Sequence, residues 1–264
     1  MSYQLPPWPQ IIAHRGDSGP APENTRLAIE RAIDVGADMV EVDIRLTKDD
    51  VPVLMHYPRL EETTTGSGLL ADRTWEEVQR LDAGVWKGSE FAGERVLSLD
   101  ETLDLARDRI PLNLDLKTSD AILPSIAAVR DAGLIDDVVI SGCQGECFGI
   151  MAEATADLGT LFNPDHVPGG IGSDAARSIV RRAIEQASRL GAVGINLRNG
   201  LVDPDVVVFA QTAGLGVWVF TVDDKKRFAE LLAMGVKSVT TNWPARMLAL
   251  AGRRSSSETG ASAE

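Results

Sequence analysis

The chain is poor in the groups that mark disulfide scaffolds, zinc sites and membrane spans. Its 264 residues contain two cysteines, Cys143 and Cys147. On a helix these would lie one turn apart, but no further cysteine or nearby histidine completes a zinc set. They read as reduced core thiols. No apolar run reaches the roughly 18 to 20 residues that a bilayer span needs. The opening MSYQLPPWPQ lacks the basic and apolar regions of a secretory signal, so a cytoplasmic location is expected. Positive charge is also scarce: 26 Lys and Arg face 39 Asp and Glu, a formal net charge of −13. So acidic a surface disfavours nucleic acid and anionic membrane as partners. Only three histidines occur, His14, His56 and His166.

What is present is an ordinary globular composition, 44% hydrophobic, and a strict alternation of short and long patterns. Short β-branched runs lie near residues 10–14, 39–46, 111–117, 138–142, 160–163, 194–198, 216–222 and 238–241. Helical patterns lie near 25–36, 120–133, 146–157, 173–190, 204–213 and 224–234, and a last short helix follows Pro244. Gly36, Gly133, Gly191, Gly214 and Gly235 each stand just past a helical pattern, where a left-handed cap is needed. Repeating strand and helix implies a parallel sheet. Eight strands without a Gly-rich phosphate loop after the first predict a closed (β/α)8 TIM barrel. The barrel domain is expected over residues 1–252, and the Ser/Gly/Ala/Glu-rich tail 253–264 is expected to be disordered. One stretch breaks the rhythm between the second and third barrel strands. It holds the extended run VPVLMH (51–56), the turn-rich TTTGSG (63–68) and short helical patterns near 74–82 and 99–108. This insertion, about 57–109, is placed to cover the barrel mouth, with Trp75, Trp86 and Phe91 as its own small core or as contacts for a ligand.

The chemistry is concentrated on the first three barrel strands. In MVEVDIRL, alternation sends Glu41 and Asp43 to one face and Val40, Val42 and Ile44 to the other. In PLNLDLK, Asn113, Asp115 and Lys117 share a face, opposite Leu112, Leu114 and Leu116. Carboxylates turned into a barrel interior are unfavourable unless a cation joins them or one is protonated. Three hard oxygen ligands, Glu41, Asp43 and Asp115, suit one divalent cation, Mg²⁺ or Ca²⁺, better than zinc. His14 and His56 both end extended runs, at the side where barrel sites are built. Two imidazoles across a scissile bond make an acid/base pair. His166, in the Pro/Gly-rich NPDHVPGG, reads as a loop residue. Arg15 offers a guanidinium fork that matches phosphate oxygens, and with Lys117 and a cation it describes a pocket for a phosphate ester.

These residues resemble the glycerophosphodiester phosphodiesterase family over most of the chain. HRG followed by PENT (His14 to Thr25) is similar to that family's opening signature, and Glu41-x-Asp43 resembles its metal pair. HYPRLEETTTGSG (56–68), NLDLK (113–117), VFTVDD (219–224) and TTNWP (240–244) resemble further elements in the same order. The resemblance implies a TIM barrel with a small insertion, and hydrolysis of a small-molecule phosphodiester to glycerol 3-phosphate and an alcohol through a cyclic phosphate. It carries over His14 and His56 as acid and base. It also carries over Glu41, Asp43 and Asp115 as metal ligands, and Arg15 and Lys117 as phosphate-binding residues. Glu23 and Asn24 come with PENT, either tying the first loop or, like Asn113, bordering the metal ligands. The chain departs from the family pattern at Tyr57, where Asp is usual, and at Glu62, where Arg is usual. Asp115 replaces the commoner Glu, Phe220 replaces Trp, and VVISGCQGE lacks a Ser-Phe pair. Two alternatives follow: a lysophospholipase D- or sphingomyelinase D-like enzyme that releases a cyclic phosphate, or a barrel that binds without turnover.

Overall fold

The computed structural model describes residues 9–142, 146–155, 157–164, 167 and 173–253. Cys143, His166, the first residues and the C-terminal tail lie outside them, as does the side chain of Cys147.

Eight parallel strands close into a barrel: β1 (Gln10–His14), β2 (Met39–Leu46), β4 (Leu112–Leu116), β5 (Val138–Ser141), β6 (Gly159–Phe162), β7 (Gly194–Arg198), β8 (Gly216–Phe220) and β9 (Ser238–Thr241). Each pairs with its neighbour, and β1 pairs with both β9 and β2, which closes the ring. The strand β3 (Pro52–Leu54) is outside the ring and runs antiparallel to β2. Helices α1 (Arg26–Asp34), α3 (Leu99–Ala106), α4 (Ile122–Ala132), α5 (Glu146–Ala154), α6 (Asp174–Arg189), α7 (Pro204–Thr212), α8 (Lys225–Met234) and α9 (Pro244–Leu250) accompany the barrel strands, and the one-turn α2 (Trp75–Val78) lies between β3 and α3.

The ends of the helices follow from side-chain chemistry. Thr25, Ser173, Asp203 and Asp224 cap α1, α6, α7 and α8 by accepting an otherwise unpaired backbone N–H. Ser98 and Glu101 form a reciprocal capping box on α3. The five glycines named above all take positive φ.

Pleating divides the sheet into two environments. Outward residues such as Val40, Val42, Leu112 and Leu114 join the helices in one large buried cluster. Inward residues change character along the axis. Ile12, Met39, Val139, Leu161 and Trp218 form an apolar plug near the amino ends of the strands. One or two inward positions further on, β1 and β2 present His14, Glu41 and Asp43, and β4 adds Asn113 and Asp115. The plug closes the bottom, and polar groups crowd the carboxyl end, where TIM barrels build their sites.

Between β2 and β4 the chain forms a satellite over the barrel. Val53, Met55, Leu60, Leu70, Val78, Ala83 and Val96 make its core, with Trp75 packed alongside. The helical pattern near 74–82 condenses to the single turn of α2, because few apolar side chains are available to bury a longer face. Trp86 remains 38% exposed. The satellite is tied to the loop after β1 by Lys87 Nζ, which donates to the Ser18 carbonyl at 2.9 Å. No helix among the described residues is long and apolar enough to cross a membrane.

Candidate active site

β2 and β4 are in register, pairing Glu41 with Asn113 and Asp43 with Asp115. This brings one oxygen each from Glu41, Asp43 and Asp115 within 4.8 Å of one another. Glu41 and Asp43 are buried, and the Asn113 Oδ1 beside them is buried without a partner among the described residues. Burial, reinforced by the Asp43 and Asp115 charges, raises the Glu41 carboxyl well above its ordinary range. Burial also pushes Asp115 up, and Asp43 adds to the effect despite the opposing Lys117 charge. Asp43 is different: burial alone would raise it, but Lys117 and Arg15 outweigh that and hold it at about 2. Hard oxygen donors, excess negative charge and an orphaned amide oxygen fit a divalent cation held by Glu41, Asp43 and Asp115.

Two cations already lean on this cluster. Lys117 Nζ lies 2.6 Å from Asp43 Oδ1 and 2.8 Å from Asp115 Oδ2. Arg15 lies 2.7 Å from Glu23 Oε1 through Nη1 and 2.9 Å from Asp43 Oδ2 through Nε. The two Asp43 contacts lack hydrogen-bond geometry and act as ionic contacts. The loop that carries Arg15 is sharply bent. Arg15 and Asn24 have φ of 56° and 58°, a region most side chains avoid. Asn24 holds the bend by donating from Nδ2 to Asp43 Oδ2 at 2.8 Å and accepting the Asp43 N–H at 3.2 Å. Arg15 N–H donates to Glu41 Oε2 at 3.0 Å. Gly16, at φ 81°, faces the Ala28 backbone so closely that a Cβ would collide with it.

His14 is fixed by a relay from the far end of the chain. Asp223 accepts from Asn242 Nδ2 at 2.6 Å, from Asn242 N at 2.9 Å and from Thr241 Oγ1 at 2.9 Å. A carboxylate only accepts, so the Asn242 amide must turn its oxygen toward His14. His14 Nδ1 therefore donates to Asn242 Oδ1, at 2.7 Å, and Nε2 carries the lone pair. Nε2 lies 3.9 Å from Glu41 Oε2. His56 follows β3. Its ring meets Tyr57 edge-on at 4.5 Å, its carbonyl accepts from Arg45 Nε at 2.8 Å, and its Nδ1 is buried without a partner among the described residues. Burial lowers both imidazoles to about 4, with the Arg15 charge adding to the effect. Glu62 is exposed, whereas Thr63 and Thr64 are buried.

The structure thus gathers His14, Arg15, Glu23, Asn24, Glu41, Asp43, Asn113, Asp115 and Lys117, with His56 in the field of the same charges. Sequence reasoning did not single out Asp223, Asn242, Arg45 or Gly142. The first two lie within VFTVDD and TTNWP, which carry no chemistry when read alone.

Fold and site define an α/β-barrel enzyme whose imidazoles and carboxylates converge at the carboxyl ends of the strands. The model of the glycerophosphoryl diester phosphodiesterase family matches residues 14–145. A glycerophosphodiester phosphodiesterase of Caldanaerobacter subterraneus subsp. tengcongensis is 30% identical over 248 residues, spanning 91% of this chain and 96% of that protein. Among solved structures, an Oleispira antarctica phosphodiesterase in complex with its product sn-glycerol-3-phosphate aligns with a TM-score of 0.80 at 27% identity, covering 93% of this chain and 97% of that one. A glycerophosphodiester phosphodiesterase from Agrobacterium tumefaciens gives a TM-score of 0.74 at 25% identity, covering 91% and 99%. The chain belongs to the glycerophosphoryl diester phosphodiesterase family.

Proposed function

We propose that the protein hydrolyses glycerophosphodiesters to glycerol 3-phosphate and an alcohol, with His14 and His56 as acid and base and one divalent cation held by Glu41, Asp43 and Asp115. The observation that carries this reading is the His14 tautomer: an Nε2 lone pair beside a buried carboxylate triad, with Arg15 and Lys117 at the same place.

A Mg²⁺ or Ca²⁺ ion at the triad would supply Lewis-acid polarisation of a phosphoryl oxygen. Arg15 and Lys117 bind and orient the phosphate once their carboxylate partners are shared with that ion. A neighbouring glycerol hydroxyl attacks phosphorus, and its proton passes to the Nε2 of His14. The Nδ1–H bond to Asn242, backed by Asp223, steadies the imidazolium that forms. The new O–P bond closes a cyclic phosphate as the bond to the alcohol breaks, and His56 returns a proton to the leaving oxygen. Substrate charge beside His56 raises its proton affinity for this step. Water then opens the ring with the two roles reversed.

The test is direct. Purified protein with Mg²⁺ or Ca²⁺ is expected to release glycerol 3-phosphate from glycerophosphocholine or glycerophosphoethanolamine. EDTA and His14→Ala are each expected to abolish release. Undiminished turnover in EDTA overturns the metal role, and undiminished turnover in His14→Ala overturns the mechanism.

A further inference from the structure

Arg45 is the next inward position of β2 after Glu41 and Asp43. The Lys117 N–H donates to the Ile44 carbonyl at 3.1 Å, extending the β2–β4 ladder by one step, so Arg45 and Lys117 stand side by side at the mouth. Their side chains behave differently. Lys117 turns down into Asp43 and Asp115. Arg45 spends only Nε, on the carbonyl of His56, and its two terminal nitrogens have no hydrogen-bond or ion-pair partner among the described residues. The acids that act on it are Asp43, Asp120 and Asp115, and none of them pairs with it. Asp43 and Asp115 are committed to Lys117, and Asp120 is exposed on the turn after β4. The guanidinium is half-buried. A partly desolvated fork with free terminal donors, anchored beside a candidate acid/base histidine, is built to receive an oxyanion from outside the chain.

We propose that Arg45 is an oxyanion-binding residue of the substrate site, on the His56 side of the barrel mouth. This rests on the phosphodiesterase reading above. Two sources could supply the oxyanion: the scissile phosphodiester itself, or a carboxylate on the leaving alcohol.

Glycerophosphoserine and glycerophosphoethanolamine separate the two sources, because they differ by one carboxylate. KM and kcat are measured for both with Mg²⁺, using the wild type, Arg45→Gln and Arg45→Lys. Arg45→Gln is expected to raise KM by roughly tenfold or more, the scale of a lost hydrogen bond to a charged group. A rise for both substrates identifies the phosphodiester, and a rise for the serine compound alone identifies the leaving carboxylate. Arg45→Lys keeps the charge and is expected to recover much of the loss. If Arg45→Gln lowers kcat with KM unchanged, Arg45 serves only to hold His56, and the proposal is overturned. Calorimetric binding of the same two compounds covers the case without turnover. Weaker binding by Arg45→Gln than by the wild type then upholds Arg45 while the hydrolysis reading fails. Equal binding by the two proteins, or none by the wild type, overturns the proposal. The melting temperature of Arg45→Gln separates misfolding from lost binding, and Arg45→Lys repeats the test if that variant does not fold.

Discussion

Asn242 holds His14 across 228 residues of sequence with a 2.7 Å hydrogen bond to Nδ1. Asp223 in turn fixes which end of the Asn242 amide faces the ring. The tautomer that leaves Nε2 basic is therefore set by residues of the last two strand ends, far from the motif that contains His14. Asn242→Ala is expected to lower kcat on the order of 10²-fold, a typical contribution of a positioned acid/base group, with little change in KM. Asp223→Asn should act in the same direction, because an amide can present either end to Asn242. Steady-state kinetics on both variants decide the matter: kcat at the wild-type level would make the relay dispensable.

Both imidazoles are lowered to about 4, chiefly by burial. A base must be neutral to accept a proton, so His14, the base of the first step, is competent from neutral pH down toward that value. The acidic limb of the pH profile of kcat/KM is expected near pH 4 to 5, well below the 6.5 of a free imidazole. A limb near 6.5 would contradict the effect of burial on His14.

Much of this was legible in the sequence because it depends on period and order. The alternation in MVEVDIRL and PLNLDLK predicted the inward acids, since a strand has a period of two and the outward residues are all aliphatic. Glycines just past helical patterns marked the helix ends for the same local reason. What could not be read were contacts fixed by closure of the ring. β9 meets β1 only because the barrel closes, so nothing local to Asn242 points to His14. Arg45 shares the inward face of Glu41 and Asp43 by the same alternation, but only the β3 hairpin brings the His56 carbonyl to its Nε. The apolar spacing over 74–82 suits a longer helix than the single turn of α2, which is all the small satellite core can bury.

Glu41 is raised far above an ordinary carboxyl by burial and by its acidic neighbours. Raised folded-state affinity for a proton favours the metal-free protein below the unfolded value near 4.5. That contribution is lost as pH rises through the higher folded value. A cation at the triad displaces the proton and removes the penalty. The melting temperature with Mg²⁺ or Ca²⁺ is therefore expected to exceed that in EDTA by a margin that grows with pH. At a hundredfold excess over Kd the stabilisation is about 2.7 kcal/mol, or roughly 5 to 10 °C for a chain of this size. Scanning calorimetry from pH 5 to 8 checks it, and a margin that shrinks with rising pH would refute the assignment of Glu41.

Gly142 follows β5 at φ 96° and lies against Asp115 and the Leu116 backbone, where a Cβ would collide with the Asp115 carboxyl. Gly142→Ala therefore strains the backbone and displaces a proposed metal ligand together. A loss of about 1 to 3 kcal/mol in stability is expected from the backbone alone. Metal affinity, read by titration calorimetry, should weaken as well. Stability lost with metal affinity intact would confine Gly142 to a backbone role.

Lys117 separates the electrostatic account from a purely steric one. It is the cation nearest to both Asp43 and Asp115, and without metal it is what allows those acids to coexist. Removing one partner of a buried pair leaves an uncompensated charge and costs about 3 to 5 kcal/mol. Lys117→Met keeps much of the side-chain volume, so its deficit in EDTA is expected to be electrostatic. A divalent cation then takes over the neutralising role, and the stability gap between Lys117→Met and the wild type should narrow when Mg²⁺ or Ca²⁺ is added. Catalysis should not recover with it, because the phosphate would still lack the Lys117 ammonium, a loss on the order of 3 kcal/mol in transition-state stabilisation. Denaturant titrations and kinetics on the same preparation distinguish the outcomes. A gap that metal leaves unchanged would show that Lys117 and the proposed ion do not share the Asp43 and Asp115 carboxylates.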